Sequence, residues 1–218
     1  MGMIVTIDGP AGAGKSSVAR MLAARLRFRF LDTGAMYRAV TLAAMRGGLD
    51  WADSEGLALL ARSLDLDILG DRVMLCGEDI SDAIRTLEVT ANTRHVAGNR
   101  AVRSHLVALQ RQVAQGGSIV TEGRDQATEV FPIAQCKIFL TASQRERARR
   151  RHRDLLARGD QMTLEEVLEQ QRERDQRDAS REVGALARTP DSVEVSTDGL
   201  SLDQVVDRLE QLVRKRMG

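Results

Sequence analysis

Cysteine is scarce in this 218-residue chain, and its two copies lie far apart. Cys76 and Cys136 form no CxxC pair and no cluster with histidine, which argues against a structural zinc site and a disulfide framework. Long apolar runs are also missing: nowhere do eighteen apolar residues follow one another, and no basic and apolar leader precedes the first predicted strand. We therefore expect a cytoplasmic protein, neither secreted nor inserted in a membrane.

An excess of charge of one sign is absent as well. The chain has 32 basic and 31 acidic residues, a formal net charge of +1, so no overall field favours nucleic acid or an anionic membrane as a partner. Any anion site must be built locally. The sequence also lacks an Asn-Lys-x-Asp segment, which counts against a GTP-dependent switch. Its length suits one core with small insertions.

The strongest motif lies close to the N-terminus, where residues 9–16 match the phosphate-binding pattern GxxxxGK[ST]. An apolar run precedes the motif and a helical pattern follows it, so we predict a strand-to-helix turn. Backbone N–H groups of such a turn converge on phosphate oxygens, with the positive end of the helix dipole behind them. Lys15 would reach the β- and γ-phosphates, and the Ser16 hydroxyl would hold Mg²⁺. The residues expected at the triphosphate are Gly9, Pro10, Ala11, Gly12, Ala13, Gly14, Lys15, Ser16 and Ser17.

Short β-like segments alternate with long helical patterns in the rest of the chain. This alternation predicts a parallel α/β sheet. Three helices have the capping-box signature, in which the first and fourth side chains satisfy each other's backbone amides. The further strands are expected at 118–121, 137–141 and 192–196, the helices at 32–45 and 87–115 (one or two), and the capping boxes at Ser143, Thr163 and Ser201.

The pattern changes between Leu64 and Ile80. Residues 65–69 and 72–76 alternate in polarity and are joined by Gly70-Asp71, which predicts a β-hairpin. Because a hairpin flanked by helices cannot easily join a parallel sheet without a crossover, residues 51–99 are interpreted as an inserted subdomain.

Two arginine-rich helical faces follow one another in the C-terminal half. For any single arginine, a solvated helix with compensating acids is the preferred interpretation. Together, in a chain that binds a triphosphate, the two faces favour a closing lid that brings guanidinium groups to the transferring phosphoryl group and excludes water. The faces consist of Arg147, Arg150, Arg151 and Arg158, and of Arg174, Arg177, Asp178 and Arg181.

Glu122 follows the strand predicted at 118–121, in the segment Thr121-Glu-Gly-Arg-Asp125. Loops at the carboxyl ends of parallel strands face the ligand crevice, so Glu122 would contribute to the Mg²⁺ shell, directly or through water. The alternative is an ordinary acid at a helix start, stabilised by the dipole. Both interpretations stay open at this point.

Several motifs together resemble the bacterial cytidylate kinase family, in the family's order and over nearly the whole chain. The resemblance implies transfer of the γ-phosphoryl group of ATP to CMP or dCMP, in pyrimidine metabolism. It also implies a three-layer P-loop NTPase core (1–50, 100–145, 182–218) with a parallel sheet, an NMP-binding insertion (51–99) and an arginine-rich lid with its adjoining helix (146–181), and we expect a monomer. The motifs are IDGPAGAGKS from Ile7, LDTGAMYR from Leu31, IRTLEV from Ile84, EGRD from Glu122, VFP from Val130 and RDQRD from Arg174.

The resemblance also implies roles for individual residues. Carried over by position, three residues would line the acceptor nucleotide, two arginines its phosphate, two residues its sugar and an acid–arginine pair its cytosine edge. The phosphoryl group itself would be stabilised by Lys15, Arg124, Arg150 and Arg174. The residues that would line the acceptor nucleotide are Thr33, Tyr37 and Arg38. Its phosphate would be bound by Arg124 and Arg174, its sugar by Asp178 and Arg181, and its cytosine edge by Arg103 and Asp125.

Two departures from the family pattern concern the acceptor side. The usual Ile-Gly after Gly-Arg-Asp is here Gln126-Ala127, and a small hydroxyl residue that helps to read the base is replaced by Arg94, with Thr93 beside it. A P-loop kinase for UMP, AMP or shikimate, and a nucleotide-binding regulator without catalysis, are therefore the alternatives.

Overall fold

Five parallel strands form the central sheet of the computed structural model, which describes residues 2–69, 72–157 and 159–217. In the register, Asp8 lies opposite Gly123, and Asp32 lies opposite Glu122, so these strands end at one edge of the sheet. The strands are Ile4–Asp8 (β1), Arg29–Asp32 (β2), Ile119–Gly123 (β6), Cys136–Thr141 (β7) and Val193–Ser196 (β8), in the spatial order β2-β6-β1-β7-β8. The predicted parallel sheet is confirmed, and β2 is a strand that the sequence patterns did not predict.

Helices cover both faces of this sheet, which confirms the three-layer architecture. On one face lie Lys15–Leu26 (α1) and Leu202–Met217 (α8); on the other lie Thr33–Arg46 (α2), Ser54–Ser63 (α3), Leu87–Gly98 (α4) and Arg100–Ala114 (α5). Successive residues of β6 face opposite sides: Val120 packs in the core under α1 and α8, and Ile119 packs in the core under the other four helices.

The predicted hairpin is present and carries a third strand. Strands Leu66–Leu69 (β3), Arg72–Leu75 (β4) and Glu78–Asp79 (β5) form an antiparallel sheet. Its apolar side packs on α2, with Val73 and Leu75 in one core cluster with Ala39. The expected turn residues Gly70 and Asp71 lie outside the described residues.

The stretch 87–115 forms two helices, because Asn99 both ends α4 and caps α5. Its side-chain oxygen accepts hydrogen bonds from the backbone N–H groups of Ala101 and Val102, at 3.0 and 3.1 Å. Its amide group donates to the carbonyl oxygen of Ser54 at 2.9 Å, which ties the start of α3 to this break. A residue that satisfies helix-end amides on one side and another element on the other makes a sharp corner.

The arginine-rich segment forms two packed helices, Gln144–Leu156 (α6) and Leu164–Ala179 (α7). Arg158, which was assigned to the first arginine face, lies outside the described residues. The capping boxes at Thr163 and Ser201 are reciprocal as predicted. The box at Ser143 is wrong in one half, because the Glu146 carboxylate binds Arg150 instead of the Ser143 N–H group.

Helix α8 carries one buried and one exposed leucine, and comparing them tests how the core packs. Leu209 is fully buried against the sheet, whereas Leu202 on the same helix is 40% exposed. We expect Leu209→Ala to lower the free energy of unfolding by about 2–5 kcal/mol, because it leaves a cavity, and Leu202→Ala to lower it by less than about 1 kcal/mol. Urea denaturation followed by circular dichroism measures both; equal losses would contradict this packing.

Candidate active site

The phosphate-binding motif occupies the turn between β1 and α1, as predicted. Gly9 has φ +150°, and a Cβ there would lie 1.9 Å from the carbonyl oxygen of Leu140 in β7, so only glycine fits. Lys15 begins α1, and its ammonium group donates to the carbonyl oxygen of Pro10 at 2.9 Å. Ser16 and Ser17 follow in the first turn and are exposed.

Lys15 is buried, and cations surround it. Burial and the neighbouring Arg124 guanidinium lower the pKa of the Lys15 ammonium group to about 7, with a further contribution from Arg174, while Glu122 and Asp8 act in the opposite direction. Two other predicted catalytic residues, Arg124 and Arg174, thus lie near Lys15. Positive charge held close together in a buried site is a receptor for an anion.

Glu122 lies at the end of β6, next to the phosphate loop. Its carboxylate accepts a hydrogen bond from the Ser16 hydroxyl at 2.7 Å. Burial, followed by the charge of Asp32, raises the pKa of the Glu122 carboxyl group. The alternative interpretation, an acid at a helix start, is wrong, because Glu122 is a strand residue and the next helical turn begins at Gln126.

Hydroxyl and carboxylate oxygens side by side are ligands that suit Mg²⁺. Within residues 2–69, 72–157 and 159–217, no group of three or more histidine, cysteine, aspartate or glutamate residues could hold a metal ion. Mg²⁺ in phosphoryl-transfer sites is usually held by one or two carboxylates together with substrate phosphates and water. The pair Ser16 and Glu122 fits a metal of that kind.

Asp8, at the end of β1, was not among the predicted site residues. Its carboxylate accepts hydrogen bonds from the backbone N–H groups of Gln126 and Ala127, at 2.9 and 2.8 Å. Burial raises the pKa of the Asp8 carboxyl group to about 6, although these two hydrogen bonds lower it. An acid at the end of a buried strand, directly before Gly9, was the signal in the sequence that could have identified it.

The Gln126-Ala127 departure forms an ordered structure. The Gln126 side chain is buried, accepts a hydrogen bond from the Thr121 hydroxyl at 2.8 Å and donates to Gln110 at 3.2 Å. Ala127 lies in a π-helical turn. Its φ is not positive, since in the described part of the chain the non-glycine residues with positive φ are Arg27 and Cys76. The turn therefore has a backbone conformation that alanine adopts without strain.

Asp178 joins two of the predicted acceptor-side arginines. Its carboxylate binds Arg124 at 2.9 Å and Arg181 at 2.6 Å, and Arg124 lowers the pKa of the Asp178 carboxyl group against the effect of burial. Arg174 lies one turn earlier on α7 with its side chain accessible to solvent. Many protein atoms surround its guanidinium all the same, and this restricted hydration, followed by the charge of Arg124, lowers the pKa of Arg174 to about 10.

The predicted base-reading pair is also assembled. Arg103 forms a buried ion pair with Asp125, and its guanidinium lies 5.7 Å from the centre of the Tyr37 ring. Burial raises the pKa of the Tyr37 hydroxyl to about 12. Glu129, which the sequence reasoning missed, lies 3.9 Å from Arg103 and accepts a hydrogen bond from the Gly184 N–H group at 3.1 Å.

The remaining acceptor residues lie at the start of α2. The Thr33 hydroxyl donates to the carbonyl oxygen of Glu122 at 2.6 Å. Arg38 pairs with Asp32 at 3.2 Å, and Asp32 also caps α2 through the Ala35 N–H group at 2.8 Å. Asp32 lies in the LDTGAMYR motif, but its pairing with Arg38 depends on the folded structure and is not predicted from the sequence.

Arg150 lies beside the phosphate loop, where its Nη1 atom would be 3.8 Å from a Cβ at Gly14. Its guanidinium donates to Glu146 at 3.0 Å, and to the hydroxyl and carbonyl oxygens of Thr197 at 2.9 Å each. Arg147, from the same arginine face, is buried and pairs with Asp175 at 2.6 Å. The first arginine face is thus largely held by protein partners, and a catalytic role of Arg150 stays a prediction.

Arg94 and Thr93 both make contacts within or beside α4. Arg94 is exposed and donates to the Nε2 atom of His95 at 3.2 Å. The Thr93 hydroxyl donates to the carbonyl oxygen of Val89, one turn earlier, at 2.7 Å. Neither side chain bonds to the Arg103–Asp125 pair in the structure.

None of the helices in the described part of the chain is long and apolar enough to span a membrane.

Comparisons with known proteins show the family of this chain. The family model for cytidylate kinase matches residues 5–215. A cytidylate kinase from Rhodopirellula baltica is 53% identical over 98% of this chain and 93% of its own length, and one from Carboxydothermus hydrogenoformans is 43% identical over 98% of both. A solved structure of an uncharacterized protein from Eubacterium ventriosum shares the fold, with a TM-score of 0.54 and 12% identity over 99% of each chain. The family match over nearly the whole sequence shows that this chain belongs to the cytidylate kinase family.

Proposed function

We propose that this chain transfers the γ-phosphoryl group of ATP to CMP or dCMP, giving ADP and CDP or dCDP. The observation that carries the proposal is the meeting of two anion-binding groups at one sheet edge. Arg124 of the acceptor side lies close enough to Lys15 of the phosphate loop to add to the effect of burial and lower the pKa of Lys15. Two nucleotides with their phosphates directed at this point would lie end to end.

The reaction is an in-line displacement without a covalent enzyme intermediate. Charge spreads over the equatorial oxygens of the transferring group, and Lys15, Arg124 and Arg174 stabilise it electrostatically. These cations repel one another in the free protein, so phosphate charge relieves an existing repulsion. Arg150 would join them only after exchanging Thr197 and Glu146 for phosphate oxygens.

Mg²⁺ is the expected metal, with Ser16 and Glu122 as the residues that would hold it. When bound, the ion neutralises charge on the β- and γ-phosphates. In the protein alone, the buried Glu122 carboxylate has the Ser16 hydroxyl as its hydrogen-bond donor and a raised pKa. A cation at this position would stabilise the ionised form of Glu122.

Acceptor recognition is assigned to the pockets around Tyr37 and Asp178. The Arg103–Asp125 pair offers both donors and an acceptor, which suits the cytosine edge. Asp178 and Arg181 would contact the sugar, and Thr33 and Arg38 would line the acceptor site. Since Arg94 is exposed and bonds to its neighbour, base selectivity rests on Arg103 and Asp125.

We also propose a monomer that acts in the cytoplasm in pyrimidine metabolism, with 51–99 and 146–181 as its moving insertion and lid.

The proposed acceptor is tested by a substrate panel. In a coupled assay of ADP release with Mg²⁺, we expect kcat/KM for CMP and dCMP to exceed that for UMP, AMP and shikimate by about 100-fold or more, because a buried donor–acceptor pair discriminates strongly between bases. Isothermal titration with CMP separates a kinase, which binds it, from a regulator that ignores it. Equal turnover of all acceptors would contradict the proposal.

The lowered pKa of Lys15 leads to a proton-linkage prediction. At pH 8 a group with a pKa of about 7 is mostly neutral, and ADP phosphates would raise this pKa towards its ordinary value, so ADP binding takes up about one proton. At pH 6 Lys15 is already charged, and the uptake at this group falls to about a tenth of a proton. Titration calorimetry in buffers of different ionisation enthalpy measures the uptake.

The control for this linkage is Lys15→Met, titrated in the same buffers at pH 8. The variant should bind ADP more weakly and take up about one proton fewer than the wild-type chain. The same uptake in both proteins would mean that another group titrates. In the unliganded protein, the folded state binds fewer protons than the unfolded state between pH 7 and 10.5, so the contribution of Lys15 to stability increases as the pH rises through this range.

The metal assignment is tested with Glu122→Gln. The amide keeps the shape of the side chain but removes the charge that attracts Mg²⁺. We expect the Mg²⁺ concentration for half-maximal activity to rise about tenfold, in line with losses seen at other metal sites, while KM for CMP changes less than about threefold. An unchanged Mg²⁺ requirement would show that Glu122 does not serve the metal.

A further inference from the structure

Gln171 is a buried polar residue on the inner face of α7. The helix turns Val167, Gln171 and Asp178 inward, and Gln171 is only 7% exposed. Its side-chain amide donates a hydrogen bond to the carbonyl oxygen of Ala11, in the middle of the phosphate loop, at 2.9 Å. The second arginine-rich helix therefore touches the loop through a glutamine, at a residue that neither the motif nor the charge pattern identified.

Arg147 of α6 donates to the same carbonyl oxygen, at 3.0 Å. Its guanidinium is fixed by Asp175 of α7, at 2.6 and 3.1 Å, and by the carbonyl oxygen of Ala142, at 3.1 Å. Both helices of the segment thus place a donor on one acceptor atom of the loop. Because a carbonyl oxygen has two lone pairs, the two donors together complete its hydrogen bonding.

This arrangement fixes the plane of the Ala11–Gly12 peptide. The peptide is trans, so the Gly12 N–H group points to the side opposite the Ala11 carbonyl oxygen. The peptide cannot rotate without losing both hydrogen bonds. The packing is close as well: a Cβ at Gly12, which has φ +79°, would lie 2.7 Å from the Gln171 amide nitrogen and 3.1 Å from the Arg147 Cβ.

The other end of the Gln171 amide argues against a purely structural role. Its side-chain oxygen is buried and has no hydrogen-bond partner among the residues that the structure describes. An unsatisfied buried acceptor lowers stability, and an apolar side chain of similar size would fill the same space without that loss. Stability alone therefore does not account for a glutamine here.

We infer that Gln171 is a positioning residue for ATP: with Arg147 it holds the Ala11–Gly12 peptide so that the Gly12 amide is presented to the triphosphate. This inference rests on the proposed function and deepens it. It couples α6 and α7 to the phosphate loop, so the affinity for ATP depends on the position of these helices. Gln171 contacts the loop and not the reacting atoms, and its effect is on ATP rather than on CMP.

The test compares Gln171→Met with the wild-type chain. Methionine has a similar volume but no donor, so we expect KM for ATP, and Kd for ADP by titration calorimetry, to rise about five- to twentyfold, the range for one lost buried hydrogen bond. KM for CMP should change less than about twofold, although α7 also carries Arg174 and Asp178. Hydrogen exchange at Gly12 should become faster. The matched control is Gln170→Met, at the exposed neighbouring position, which should leave all four quantities unchanged.

The outcomes separate the alternatives. Equal increases in KM for ATP and CMP would mean that Gln171 only holds α7 in place, and unchanged ADP affinity would mean that it does not position the loop; either result overturns the inference. Absence of ADP binding by the wild-type chain would overturn the proposed function with it, whereas ADP binding without CMP turnover would overturn the proposed function and leave Kd for ADP and Gly12 hydrogen exchange to decide the role of Gln171. If Gln171→Met does not fold, Asp175→Asn, which loosens Arg147, must raise Kd for ADP selectively.

Discussion

Two hydrogen bonds from backbone amides to the Asp8 carboxylate connect the halves of this site. Asp8 ends β1 and directly precedes the phosphate loop, whereas Gln126 and Ala127 follow Arg124 and Asp125, the residues proposed to bind the acceptor. The pairing of β1 with β6 sets the two loops side by side, and the carboxylate then joins them atom to atom. The distance between the phosphate loop and the segment proposed to bind the acceptor is therefore set by a strand register and one buried acid, both of whose carboxylate oxygens are hydrogen-bonded.

Around this connection the chain collects positive charge that its overall balance does not suggest. The net charge is +1, but burial and the nearby Arg124 guanidinium lower the pKa of both Lys15 and Arg174. Asp178 and Glu122 offset part of that charge without removing it. The cations repel one another in the free protein, which lowers its stability. A phosphate anion bound among them would offset this repulsion, so the same charges favour phosphate binding.

The turn that follows Asp125 shows how polar residues can be accommodated in the interior. Thr121, Gln126 and Gln110 form a chain of hydrogen bonds beneath the loop. The chain ends at the side-chain nitrogen of Gln110, which has no partner in the described part of the protein. A buried network of this kind keeps the backbone in one conformation, because each amide has few other partners. It supports the loop that carries Arg124 and Asp125 from below.

Much of the fold could be predicted from local patterns. Period-two and helical spacing identified four of the five parallel strands and the hairpin, because each is a contiguous run with its own turn signals. The strand β2 was missed since Arg29-Phe30-Leu31-Asp32 is short, charged at both ends and exposed at its start. Its strand character comes from pairing with β6. The capping box at Ser143 failed for a similar reason, because Arg150 competes for Glu146.

At the site, local sequence was enough to predict the phosphate loop, since glycine spacing and one lysine describe a structure made by consecutive residues. Family motifs also predict which distant residues contact the acceptor nucleotide, and that assignment stays a prediction. The division of the α6 arginines could be seen only in the folded chain: Arg147 turns inward to the Ala11 carbonyl oxygen, and Arg150 binds Thr197. Helical spacing gives the face of a helix but not the carbonyl groups or acids that another element places against it. The roles of Asp8 and Gln171 depend on such contacts, formed across 118 and 160 residues of chain.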